Sequence, residues 1–196
     1  MKHYYYIIYK PFQTLSQFSP VPGKKTLHDF FTFAKDVYPV GRLDEDSEGL
    51  LLLTNDTGIN KKLLDPVFAH SREYLVQVDG CITHEAVNNM SKGLKITVNG
   101  KIYITKPCTV TPVEGIPVVP ERFPPIRFRK NIPTSWITIQ LKEGKNRQVR
   151  KMTAASGFPT LRLIRTRIAQ LELGNLQPGE FIELPQQTVY KKLRSG

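Results

Sequence analysis

Four consecutive leucines, Leu50 to Leu53, stand between Gly49 and the Asn55-Asp56 pair. A continuous apolar run of that length is too short for a helix and fits a strand covered on both faces. The polar stretch from Val40 to Glu48 enters this strand from a loop, and Gly41 and Gly49 permit tight backbone paths on either side. Upstream, Tyr4 to Tyr9 predicts a first strand, ended by Pro11, which has no donor for a ladder. Phe12 to Pro22 reads as loop. Thr26 to Phe31 predicts a short helix, with Thr26 as N-cap and Asp29 three residues on.

Downstream, Ile59 to Leu64 has helical character and is closed by Asp65-Pro66. Tyr74, Val76 and Val78 alternate with Leu75 and Gln77, which predicts a strand ended by Gly80. Thr83 caps a helix that runs past Met90 and stops at Gly93. Lys95–Val98 and Lys101–Thr105 flank Asn99-Gly100, the strongest short-range hairpin signal. Cys108–Val113 and Trp136–Leu141 predict further strands. From Lys142 the chain turns into a helix that ends near Ser156-Gly157. Its periodicity puts Asn146, Val149 and Arg150 on one face, and Arg147, Lys151 and Ala154 on another. An arginine that faces inward needs a carboxylate, and Asp44 is the natural candidate for Arg150. Thr160 to Leu173 reads as one long strand and Phe181 to Leu184 as the last; the polar tail from Gln186 reads as frayed.

Charge changes the picture more than composition does. The formal net charge is +11, and Glu121 to Arg167 alone holds twelve Lys/Arg against two acids. A block of that kind, interleaved with Phe123, Phe128 and Trp136, is the footprint of an ordered surface facing phosphates. Six prolines between Pro112 and Pro133 mark an extended segment within or beside it. Cys81 and Cys108 are isolated, with no metal-ligand spacing, so neither a disulfide framework nor a zinc site is expected. No apolar run approaches the ~18 residues that span a membrane. There is no phosphate-cradling glycine loop and no dinucleotide fingerprint. A cytoplasmic, monomeric protein without cofactor or metal is the expectation.

Several motifs carry a specific resemblance. GRLDEDSEGLLLLTND, residues 41–56, resembles the signature of the RsuA-type pseudouridine synthases. Tyr9-Lys10-Pro11, Pro11–Phe18 and the string Pro124–Pro133 resemble the RluE-like branch of that family, Arg72 and Tyr74 its K/R-x-Y motif, Leu163-x-Arg165 its LxR step, and Glu143–Met152 its EGRNRQVRRM motif, with Lys145 where arginine is common. The resemblance covers nearly the whole chain. It implies the pseudouridine synthase fold: a mixed, mostly antiparallel sheet in two halves, flanked by helices, with a central cleft. It implies a single catalytic domain of two subdomains, about 1–80 and 81–196, with no S4-like RNA-binding domain.

The resemblance also implies roles. Asp44 would be the catalytic residue, paired with Arg150, while Tyr74 packs against the target base and Arg42 fills the space it vacates. Leu163 and Arg165 would lie over the uracil, and Lys145, Arg147, Arg127, Arg129 and Lys130 would contact the RNA. The implied reaction turns a uridine of large-subunit (23S) ribosomal RNA into pseudouridine, after the base leaves its stack. A target in small-subunit (16S) RNA stays open. Two other classes of function stay open. One is a non-catalytic RNA-binding protein; the other is a glycoside hydrolase using Asp44 with Glu48 or Asp46, for which twelve cations have no use.

Overall fold

In the computed structural model, residues 2–65, 70–126 and 132–194 are described. The protein is mixed α+β, as expected, with antiparallel strand pairing dominant. Its residues form two compact units, Met1–His70 with Ile164–Gly196, and Ser71–Leu163. The first is discontinuous in sequence, because the C-terminal residues return to it.

The first unit is built on the leucine run. The strand Glu48–Thr54 is buried along its whole length, and Leu50 to Leu53 are 0% exposed. Tyr5–Lys10 lies antiparallel along one edge, from Tyr5 opposite Thr54 to Lys10 opposite Gly49. The other edge is parallel, with Ile164 opposite Glu48 and Arg165 opposite Gly49. Phe181–Glu183 extends the sheet beyond Tyr5–Lys10. On one face, Leu51 and Leu53 pack with Tyr6, Ile8, Leu27, Phe31 and Val37. The Tyr6 ring stacks on Phe33 at 4.3 Å between centroids, and Phe181 meets Phe33 edge-on at 4.9 Å. Alternation supplies the two faces and burial on both accounts for the absence of polar residues from the run.

Three expectations are corrected here. The Thr26 segment is only a 3-10 turn, Leu27–Asp29, with Asp29 Oδ2 accepting from the Thr26 amide at 2.7 Å and its hydroxyl at 3.1 Å. Thr160 to Leu173 is not one strand. Thr160–Ile168 folds back at Ala169-Gln170 into Leu171–Glu172, pairing Ile168 with Leu171. Ala169 takes φ +49°, a turn conformation that its residue type does not advertise. The tail is also not frayed. Gln186–Arg194 is a helix with Val189 and Leu193, one turn apart, buried.

Asp56 ties that helix down. Its Oδ2 accepts from the Tyr190 hydroxyl at 2.7 Å and the Tyr5 hydroxyl at 2.8 Å, and Oδ1 caps the Thr57–Leu64 helix through the Gly58 amide at 2.9 Å. Burial pushes this carboxyl up, but the hydrogen bonds from Tyr190, Tyr5 and Gly58 outweigh it and hold it below the usual carboxylate range. A depressed folded value stabilises above the unfolded value, and the gain is lost as pH falls through the folded one. Asp56→Ala is therefore expected to cost about 2–4 kcal/mol at pH 7. In urea unfolding, the gap from wild type should narrow below about pH 4. An unchanged gap there would reject the linkage.

The second unit is an antiparallel sheet in the order Arg72–Asp79, Thr134–Leu141, Thr109–Val113. The helix His84–Lys92 packs against the Thr109–Val113 strand, and Gln148–Ala155 against Lys95–Val98. Thr83 Oγ1 accepts from the Ala86 amide at 3.2 Å and Gly93 ends the helix at φ +107°, as the caps predict. Asn99 and Gly100, at φ +50° and +76°, close the hairpin Lys95–Val98/Lys101–Ile104. The core is Val76, Val78, Met90, Ile96, Ile137, Ile139, Leu141, Val149, Met152 and Leu163. The Gln148–Ala155 helix starts later than its periodicity predicts. Arg147, at φ +52°, stands just outside it, so Asn146 belongs to the loop and shares no helical face with Arg150.

Candidate functional site

In the first unit the site begins with Asp44, half-buried on the loop that feeds the leucine strand. Its backbone is held on both sides. The Asp44 carbonyl accepts from the Ser47 amide at 3.1 Å. The neighbouring Leu43 is buried, and its amide donates to Ser16 Oγ at 3.0 Å while its carbonyl accepts from the same hydroxyl at 2.8 Å. Val40 donates to the Leu52 carbonyl at 2.7 Å, which ties the start of the loop to the strand it will enter. Arg42 is exposed, and an ion pair from Lys24 to Glu45 at 2.8 Å lies on the outside of the loop.

Beneath this loop lies charge that periodicity did not reveal. Lys10 is 0% exposed, and its ammonium donates to the carbonyls of Pro11 at 2.9 Å and Thr14 at 2.7 Å. Arg165 is 4% exposed and its Nε donates to the Leu50 carbonyl at 2.8 Å. Glu48 is buried beside Tyr9, whose hydroxyl lies 3.4 Å from Oε2. Burial pushes the Lys10 ammonium down to about 7, against the pull of the Glu48, Asp46 and Asp44 carboxylates, and Arg165 adds to the downward push. In the sequence Lys10 ends an otherwise apolar strand and belongs to the Tyr9-Lys10-Pro11 motif, but neither feature reveals its burial.

This lysine makes a checkable pH dependence. Its folded value lies below the unfolded one near 10.5, so between the two the unfolded chain holds a proton that the folded chain has released. Stability then rises with pH across that window, by about 1.4 kcal/mol per unit for one proton. Urea unfolding of wild type and Lys10→Met at pH 7.5 and 9.5 is expected to show wild type gaining about 2–3 kcal/mol relative to the variant. A difference that does not move with pH would rule the linkage out.

In the second unit, the carboxylate of Glu143 is the hub. Its Oε2 accepts from the Tyr103 hydroxyl at 2.6 Å, and its Oε1 accepts from the Lys106 amide at 2.9 Å and from the side-chain amide of Gln148. Gln148 Oε1 accepts in turn from the Lys145 amide at 3.0 Å. The Lys145 ammonium stands 4.8 Å from the Tyr103 ring centroid. The loop that presents Lys145 and Arg147 is thus clamped to the hairpin by a buried glutamine and one acid. Sequence reasoning missed Glu143 and Gln148; they lie in the quoted motif, but only their partners show what they do. Burial and the Glu143 charge push the Cys108 thiol up to about 11.

Lys145 and Arg147 are exposed, and Arg150 is half-buried within the first turn of the Gln148–Ala155 helix. Tyr74, opposite Ile139 in the sheet, is half-buried against the core, and Leu163 is part of that core. The first unit thus places Asp44, Glu48 and Arg165 within electrostatic reach of Lys10, and the second holds Tyr74, Lys145, Arg147 and Arg150. Arg127, Arg129 and Lys130 lie outside the described residues. Among the described residues no cluster of three or more His, Cys, Asp or Glu is arranged to hold a metal, and no helix is long and apolar enough to cross a membrane. Taken singly, the first unit offers an anchored carboxylate, and the second offers exposed cations and a partly covered aromatic.

Comparison with known proteins gives this chemistry a context. Residues 4–155 match a family model described as RNA pseudouridylate synthase. The chain is 47% identical over 178 residues to the ribosomal large subunit pseudouridine synthase E of Vibrio parahaemolyticus, covering 91% of this chain and 72% of that protein. It is 42% identical over 177 residues to the protein of the same name from Xanthomonas campestris, covering 89% and 92%. A solved pseudouridylate synthase structure has the same fold, with a TM-score of 0.78 at 23% identity, covering 97% of this chain and 74% of that one. With the matched model spanning most of the chain, the protein belongs to the RNA pseudouridylate synthase family, enzymes that isomerise uridine within RNA.

Proposed function

We propose that this enzyme converts one uridine of large-subunit (23S) ribosomal RNA to pseudouridine, with Asp44 as its catalytic carboxylate, and that it does so as a cytoplasmic monomer. The observation that carries the proposal is similarity, over about nine-tenths of the chain, to proteins named for that substrate. The anchored Asp44 loop supports the residue assignment. The reaction breaks the bond from N1 of the uracil to C1′ of the ribose and forms one from C5 to C1′. The C5 proton is lost and N1 gains one, so no electrons are exchanged with a partner. A carboxylate serves this chemistry either by attacking C1′ or by removing a sugar proton to give a glycal, and either role requires it ionised.

The remaining roles follow from the motifs. Arg150 and Tyr74 support the aspartate and the flipped base, Arg42 enters the vacated stack, and Leu163 and Arg165 shape the uracil position. Lys145 and Arg147, together with Arg127, Arg129 and Lys130, hold phosphates and make binding salt-dependent. Glu48, buried beside Tyr9, is poorly presented to a sugar, which disfavours the Asp44–Glu48 pair as a glycoside hydrolase couple.

The test is pseudouridine mapping of ribosomal RNA from cells lacking the protein. The expected result is loss of modification at one large-subunit uridine, restored by wild type and not by Asp44→Asn. A loss confined to small-subunit RNA would move the substrate assignment. Survival of every pseudouridine would overturn it.

A further inference from the structure

We infer that Phe123 is a stacking platform for an unpaired base of the RNA, outside the position of the reacting uridine. Single exposed apolar side chains are ordinary. Here three large ones fall within eight residues, Ile116 at 88%, Val118 at 104% and Phe123 at 87% exposed. They lie on a segment that is not loose. Arg122 donates through Nε to the Pro124 carbonyl at 2.9 Å and through Nη1 to the Leu161 carbonyl at 3.4 Å, which ties the segment to the Thr160–Ile168 strand. Pro117, Pro120, Pro124 and Pro125 stiffen the backbone around it. An aromatic held out into water on a restrained backbone has already lost the freedom that binding would otherwise remove.

Charge selects the occupant. Phe123 lies in the quarter of the sequence with twelve Lys/Arg against two acids, Glu121 and Glu143, and of these cations Lys142, Lys145 and Arg147 are exposed in the same unit as the ring. A polyanion with exposed π-faces fits both features: the cations track phosphates and the ring takes a base, with little regard to sequence. An acidic protein surface would satisfy the charge but offers such flat faces only singly, whereas every unpaired base along an RNA strand presents one.

The test measures binding of a fluorescein-labelled single-stranded RNA dodecamer, and of the same strand in a perfect duplex, to wild type, F123A and F123W. F123A is expected to weaken single-strand binding about tenfold, the size of one base–aromatic stack. The factor should hold at 50 and 200 mM salt (roughly the range over which phosphate contacts decay), because stacking adds no counterion release. F123W should bind like wild type, and its tryptophan emission should fall as RNA is added, above the constant background of buried Trp136. Duplex binding should be nearly equal for all three. Because the ring is exposed, F123A should melt like wild type. Single-strand binding unchanged in F123A would overturn the inference. So would an equal loss on duplex, or a change in sedimentation with RNA binding intact, which would assign the ring to a protein contact. None of these readouts depends on which uridine is modified or on Asp44.

Discussion

Asp44→Asn is expected to lower pseudouridine formation by about four orders of magnitude or more, with RNA binding and melting temperature close to wild type. The change keeps shape and removes the charge. Asn can neither attack C1′ nor take a sugar proton, so whichever route operates loses its central group. The path of the loop is fixed independently of that charge. The loop is held through backbone atoms, by Ser16 on Leu43 and by the Ser47 amide on the Asp44 carbonyl, and these contacts survive the substitution. Loss of a negative charge next to a polyanion does not weaken its binding. The assay is release of tritium from C5-labelled uridine in ribosomal RNA, with circular dichroism melting alongside. More than about 1% residual activity in a variant that binds and folds normally would be incompatible with a catalytic role.

Gly49→Ala is expected to unfold the protein far more readily, by about 4 kcal/mol, or roughly 10 °C in melting temperature. Gly49 sits at φ +101°, and a Cβ there would stand 2.4 Å from the Arg165 carbonyl oxygen and 2.8 Å from its nitrogen. Both atoms are backbone of the neighbouring parallel strand, so relief requires the strands to separate beside Arg165. Positive φ alone costs an alanine about 1–2 kcal/mol; the contact supplies the rest. Gly100→Ala is the control. Its φ is +76°, yet a Cβ there would meet nothing within 4 Å, so only the conformational cost should appear. Equal losses in the two variants would mean that the approach of Arg165 contributes nothing.

These two positions mark where local reading stops. Both lie in the stretch that the sequence singled out, and both were legible as special. For Asp44 the role rests on the motif resemblance, since an acid on a loop is by itself ordinary. For Gly49 the expected reason was a tight path into the strand, whereas the closest restraint is Arg165, more than a hundred residues away in the chain. Glu143 and Gln148 show the same limit, lying inside a recognised motif while their partners Tyr103 and Lys106 lie well upstream. Lys10 is the extreme case. Its side chain is satisfied by carbonyls of the next few residues, but its complete burial depends on the leucine strand laid against it.

The sequence by itself determined the elements whose signals lie within a few residues of each other. The leucine strand, the Thr83 cap and Gly93 stop, and the Asn99-Gly100 hairpin all follow from periodicity and turn chemistry, because the forces behind them act along the chain. Only the tertiary structure decided the rest. The turn at Ala169 has no residue that favours it. The tail becomes a helix because Val189 and Leu193 find a core and Tyr190 finds Asp56, 134 residues away. Those contacts are made across the fold, and a side chain's burial or hydrogen-bond partner at such separation is a property of packing that no local pattern encodes.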